Sequence, residues 1–164
     1  MSIDPQKYFF KMSFRFDKCT PEAFGLALSE SSENIYVDKS DGFLWEQQNL
    51  YDFGWGAEYG FVRLPALGFY DLWDLLLNSN IQDNQHGAAC LLEEKYADEL
   101  LEKIESIFSN PGSQINERLK TAFRILKLES GINRGNLQGK NYAGIKDKAT
   151  RWNNISEQVK AFYR

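Results

Sequence analysis

The chain has 164 residues, 43% apolar and 26% charged, with a formal net charge of −4, the balance of one globular domain (residues 1–164) large enough to bury a core. Its two cysteines, Cys19 and Cys90, are too few for a disulfide framework and lack metal-type spacing, and the single histidine, His86, excludes His-rich metal sites and two-histidine mechanisms. "MSIDPQKYFF" carries no signal-peptide pattern, and the longest apolar runs, Leu75–Leu77 and Ala88–Leu92, are far short of a membrane span, so the expected compartment is the cytoplasm.

In chain order, "KYFFKMSFRFD" alternates with Tyr8, Phe10, Met12, Phe14 and Phe16 on one side, Phe9 being the exception, and reads as a half-buried strand. Thr20 followed by Pro21 predicts the cap and first position of a short helix through Phe24, Leu26 and Leu28. "NIYVDKSDGFLWEQQ" predicts a hairpin turning at Asp41-Gly42. A further strand is expected from about Gly56 to Leu64, stopped by Pro65. The period then changes. Phe69, Leu72, Trp73 and Leu76 form one helical stripe, and Ala89, Leu92, Tyr96, Ala97, Leu100, Ile104 and Phe108 predict a second helix of several turns, broken at Asn110-Pro111-Gly112. Ser113 is placed to cap a third helix with Gly131 as its stop, and Trp152, Ile155, Val159 and Phe162 mark a last one. Between these two, residues 131–144 form a glycine-rich stretch, functional or mobile. Strands first and helices after predict an α+β fold: an N-terminal antiparallel sheet of about four strands with one early helix, packed with a helical C-terminal half.

The stretch "DFGWGAEYGFVRLP" raises the question of a phosphate-binding loop. Its glycines, Gly54, Gly56 and Gly60, are spaced one residue too long for G-x-G-x-x-G, and a strand is expected where a helix N-terminus is required. A bulged or tightly turned strand segment is the expected reading. His86 and Cys90 stand at i, i+4, yet a nucleophilic thiol needs surroundings that depress its pKa, and a small core residue is the plainer role for Cys90. Asp71 and Asp74 share a helix face away from the apolar stripe, and Glu93 and Glu94 lie on the next helix; none of them forms a recognisable acid/base pair. No catalytic, cofactor-binding or metal-binding residue is assigned, and no cofactor is expected.

Charge is unevenly divided. Residues 1–113 hold 8 Lys and Arg against 19 Asp and Glu, a charge of −11, whereas residues 114–164 hold 11 against 4, a charge of +7. Either the two parts attract each other, or an acidic surface receives a basic partner. The basic part (Arg118, Lys120, Arg124, Lys127, Lys140, Lys146, Lys148, Arg151) leaves nucleic-acid binding open as an alternative, although no nucleic-acid-binding motif occurs and the sequence pI is about 5.1. A small hydrolase of unrecognised type is the other alternative.

The aromatic content is 15%, and aromatic anchors ringed by complementary charge are what protein interfaces are built from. The expected partner-binding residues are Trp55, Glu58, Tyr59, Asp71, Asp74, Glu93 and Glu94. In size, acidity and strand-then-helix layout, and in "FGWGAEYGFVRLPALGFYDLWDLL" and "HGAACLLEEKYADELLEKI", the chain resembles the immunity proteins of bacterial contact-dependent inhibition and polymorphic toxin systems. That resemblance implies a non-catalytic protein that binds one cognate toxin domain, a nuclease among the candidates, and occludes its active site. It implies no membrane partner.

Overall fold

Alternating apolar residues between short turns commit the first third of the chain to a sheet, and the helical period after Pro65 supplies the layer that covers it. A computed structural model describes residues 6–12, 20–30, 32–52, 57–110, 115–129 and 142–163. Strands β1 (Phe9–Met12), β2 (Leu26–Leu28), β3 (Ile35–Asp38), β4 (Leu44–Asp52) and β5 (Ala57–Arg63) form one antiparallel sheet in the order β1-β5-β4-β3-β2. The fold is mixed α+β, with the helices following the sheet.

The sheet and its one early helix follow the expected layout. Among the described residues there are five strands, and the early helix is a four-residue 3-10 turn, Pro21–Phe24. Thr20 makes no side-chain cap, and Gly25 at φ 81° ends the turn at once. Leu26 and Leu28 then follow the two-residue period of a strand, with Leu26 fully buried and Leu28 exposed. The Asp41-Gly42 turn joins β3 to β4 as predicted, with Gly42 at φ 78°, a backbone setting that glycine adopts without penalty. Gly54 and Gly56 lie outside the described residues. Gly60 sits within β5 opposite Gln48, and the sheet's register irregularity falls instead in β4, between Asn49 and Tyr51.

Phe9, the exception to the alternation at the start of the chain, is buried, at 1% exposure. It joins Leu50 and Val62 on the face covered by helices, while Leu26, Trp45 and Phe61 form a smaller cluster on the other face with Phe24 and Tyr36.

The helices are α1 (Phe69–Asn78), α2 (Gln82–Lys95), α3 (Ala97–Ser109), α4 (Glu117–Ile125) and α5 (Tyr142–Ala161). Leu72, Trp73 and Leu76 bury the predicted stripe of α1. The long helix expected next is two helices, because Tyr96 leaves helical geometry at φ −128°, ψ 32°. Its ring packs edge-on against Phe69, 6.0 Å between centroids. The break re-aims α3 so that Leu100, Leu101 and Ile104 also enter the core. Helix α2 is buried from Gly87 through Leu92 because it packs against α1, α3 and α4 as well as β1 and β4.

Helix α4 is capped by Asn116, whose Oδ1 accepts the Leu119 N–H at 3.0 Å; Ser113, the expected cap, lies outside the described residues. The helix ends well before Gly131. Lys127 adopts the left-handed conformation at φ 51°, while the Leu128 N–H donates to the Phe123 carbonyl and the Lys127 N–H to that of Arg124. This is the Schellman arrangement with lysine in the place usually taken by glycine. Most of the expected 131–144 loop lies outside the described residues, but Tyr142–Gly144 already belong to α5. Trp152, Ile155 and Val159 bury the α5 stripe, whereas Phe162 lies beyond the helix end, 42% exposed, its ring stacked on Phe108.

The divided charge is used inside the molecule. Lys148 of α5 pairs with Asp98 of α3, and Arg151 donates to both carboxylate oxygens of Glu105 at 2.8 and 2.6 Å. The Arg151 hydrogen bonds hold the Glu105 carboxyl below the usual carboxylate range. A depressed folded-state pKa stabilises the fold above the unfolded-state pKa, and that stabilisation is lost as pH falls through the folded value. Both side chains are about one-third exposed, at 33% and 34%, so solvent limits the gain to about 0.5–1 kcal/mol. Glu105→Gln should lose that amount in urea melts near neutral pH, and the gap to wild type should shrink below about pH 4. A gap that stays constant through that range would show the pair to be unimportant.

Candidate partner-binding surface

The outward face of α1 is fixed by its inward one. With Leu72, Trp73 and Leu76 turned to the core, the 3.6-residue period puts Tyr70, Asp71, Asp74 and Asn78 towards solvent. Tyr70 is 78% exposed, more than any other large hydrophobic side chain among the described residues. It is not loose, however. Its ring meets Phe69 edge-on at 5.4 Å, and Phe69 in turn stacks on the buried Trp73 at 6.5 Å and contacts Tyr96. The phenol is therefore carried on a packed aromatic base, with the two exposed carboxylates beside it on the same face of α1.

The carboxylates are partly pre-positioned. Asp74 Oδ1 accepts from Asn78 Nδ2 at 2.7 Å, and Asn78 Oδ1 accepts from Arg118 Nη1 at 2.6 Å. This short chain of hydrogen bonds links the acidic face of α1 to the basic α4.

The structure brings only some of the expected residues together. Asp71 and Asp74 share this face. Glu93, half-buried, and Glu94, exposed, occupy the last turn of α2, and the Phe69–Tyr96 contact brings the end of that helix to the start of α1. Glu58 and Tyr59 occupy β5 positions opposite Tyr51 and Asn49. Trp55 lies outside the described residues. Tyr70 was missed by sequence reasoning; its signal was an aromatic next to the apolar stripe but not on it.

Other candidate chemistry is walled off or engaged elsewhere. Cys90 is only 8% exposed within α2, and half-buried His86 precedes it by one turn. A thiol this enclosed offers a substrate little approach. Among the described residues, no group of three His, Cys, Asp or Glu side chains is placed to hold a metal ion. Among the described residues, no helix is long and apolar enough to cross a membrane.

Much of the basic stripe is occupied. Besides the α5 pairs, Arg118 donates to Asn78, Lys120 to Glu117 at 2.6 Å, and Arg124 lies 4.8 Å over the Tyr163 ring. Tyr163 also donates to the Lys120 carbonyl, and burial raises its phenol pKa.

Compared with known proteins, the chain matches no family model, no curated sequence and no solved structure. The functional reading therefore rests on the surface itself.

Proposed function

We propose that this protein is a non-catalytic binding module, an immunity protein that neutralises a cognate bacterial toxin domain by covering its active site. The observation that carries the reading is Tyr70, 78% exposed, packed edge-on against Phe69 and beside the exposed Asp71 and Asp74. A large exposed ring costs little side-chain entropy to dock, and surrounding carboxylates steer and select a basic partner. A nuclease domain, which must itself grip a polyanion, has the complementary charge. The nucleic-acid alternative is less favoured, because Arg118, Lys120, Arg124, Lys148 and Arg151 already meet partners within the chain.

The test begins with the toxin domain encoded beside this gene. Co-expression should restore growth, and the purified pair should bind with nanomolar affinity. Tyr70→Ala should weaken binding by roughly thirtyfold or more, about 2 kcal/mol, and Asp71→Lys with Asp74→Lys should slow association. Neither change should shift stability by more than about 0.5 kcal/mol. If no neighbouring toxin is bound, the immunity function is wrong; if one is bound equally well by Tyr70→Ala, the surface is wrong.

A further inference from the structure

Helix α4 packs against α1, and the contact continues out to the surface. Tyr70, Asp74 and Asn78 follow at four-residue steps along α1, the spacing that makes helical side chains neighbours. Asp71 lies nearer the start of the helix, its Oδ2 3.9 Å from where a methyl group on Gly68 would sit. Arg118 of α4 closes the row at the other end, where its Nη1 donates to Asn78 Oδ1 at 2.6 Å. From Asp71 to Arg118 the face runs acid, acid, amide, guanidinium, and all of these side chains are exposed.

The amide in the middle decides how the charges behave. Arg151 and Glu105 bond directly, Nε and Nη2 each taking one carboxylate oxygen, and so neutralise each other. Arg118 and Asp74 instead share Asn78, whose carboxamide accepts from the one and donates to the other. Among the described residues, Asp71, Asp74 and Arg118 enter no ion pair, and Arg118 Nε and Nη2 make no hydrogen bond. Those are the two donors with which Arg151 grips Glu105. The other described arginines are spent otherwise, Arg151 on that carboxylate and Arg63 and Arg124 over aromatic rings.

We propose that Arg118 belongs to the docking surface and sets its polarity: the partner places a carboxylate against Arg118, beyond the cations that meet Asp71 and Asp74. This names the charge order of the partner and rests on the immunity reading. A guanidinium with its Nε and Nη2 edge unfilled fits a carboxylate through two parallel hydrogen bonds. A uniformly cationic partner would bring like charge against Arg118, which costs affinity. Asn78 acts as a positioning residue. By holding both ions it fixes the separation of opposite charges that a partner must match, and a protein of equal net charge without that order is rejected.

The test uses the neighbouring toxin domain and the sign of one charge change. Arg118→Glu makes the face more acidic, so a uniformly basic partner would bind the variant more tightly. The inference expects the reverse, with Arg118→Glu weakening binding by roughly tenfold or more and Arg118→Gln by about threefold. Lysine substitutions of the toxin domain's acidic residues, made one at a time, should include one that restores binding to Arg118→Glu and weakens binding to the wild type. An Arg118 that only complemented the C-terminal end of the α1 dipole would lower stability when replaced and leave affinity unchanged. Equal or tighter binding by both Arg118 variants, or no restoring lysine, would overturn the inference and leave the Tyr70 surface standing. A wild-type protein that binds no toxin would instead sink the immunity reading, and this inference with it.

Discussion

Gly87→Ala should destabilise the protein by about 2–3 kcal/mol, against the usual preference of helices for alanine. At an ordinary helical position the exchange gains up to about 1 kcal/mol. Here a methyl group would lie 2.3 Å from Phe9 Cγ, 2.5 Å from Cδ1 and 2.6 Å from Cβ. Both residues are buried where α2 crosses β1. The clash involves the base of a core side chain rather than a flexible tip, so helix and strand must separate, and overpacking of this kind costs about 1–3 kcal/mol or more. Phe9→Ala, which removes Cγ and Cδ1, should lessen the penalty, so that the double variant loses less than the sum of the singles, with a coupling of about 1–2 kcal/mol. Urea midpoints of the four proteins measure this directly. A Gly87→Ala protein as stable as wild type would mean that α2 and β1 are not in such close contact.

Asn84→Ala should cost about 3–4 kcal/mol, although a polar helix residue in sequence looks like surface. Asn84 is 1% exposed and uses both ends of its amide. Its Oδ1 accepts from the N–H groups of Tyr8 and Phe9 at 2.8 and 3.3 Å, and its Nδ2 donates to the Gln6 carbonyl and Ser79 Oγ at 3.0 and 3.1 Å. Removing it strands the buried Phe9 N–H and the partly buried Tyr8 N–H, at roughly 1–3 kcal/mol for each group left unsatisfied before relaxation. Amide exchange at Tyr8 and Phe9 should accelerate ahead of the rest of the sheet in Asn84→Ala. Uniform acceleration across the protein would instead assign Asn84 to global stability with no special hold on β1.

The contrast between these residues and the legible ones is physical. The Asp41-Gly42 hairpin and the α1 stripe could be read from sequence because each is decided within a few residues, by a turn that tolerates positive φ and by a 3.6-residue period. The strand at Leu26–Leu28 was hidden because Thr20-Pro21 starts a helical turn that Gly25 ends almost at once. The break at Tyr96 carries no proline or glycine and follows from packing against Phe69. Lys127 closes α4 in a conformation that local preference assigns to glycine. Of the site, the carboxylates Asp71 and Asp74 were visible as off-stripe charges. Tyr70 was not, because an aromatic side chain reveals itself as surface only when the surrounding core is known to be complete without it.

The ion pairs between α3 and α5 have a consequence for kinetics. Because Lys148 and Arg151 are held by Asp98 and Glu105, these two cations are neutralised locally and contribute little field at a distance. A protein approaching α1 meets the exposed carboxylates of Asp71 and Asp74. Within about one Debye length, roughly 8 Å at physiological salt, those charges bias the encounter. Added salt should therefore slow capture of a basic partner far more than it hastens its release, leaving residence time to the packing around Tyr70.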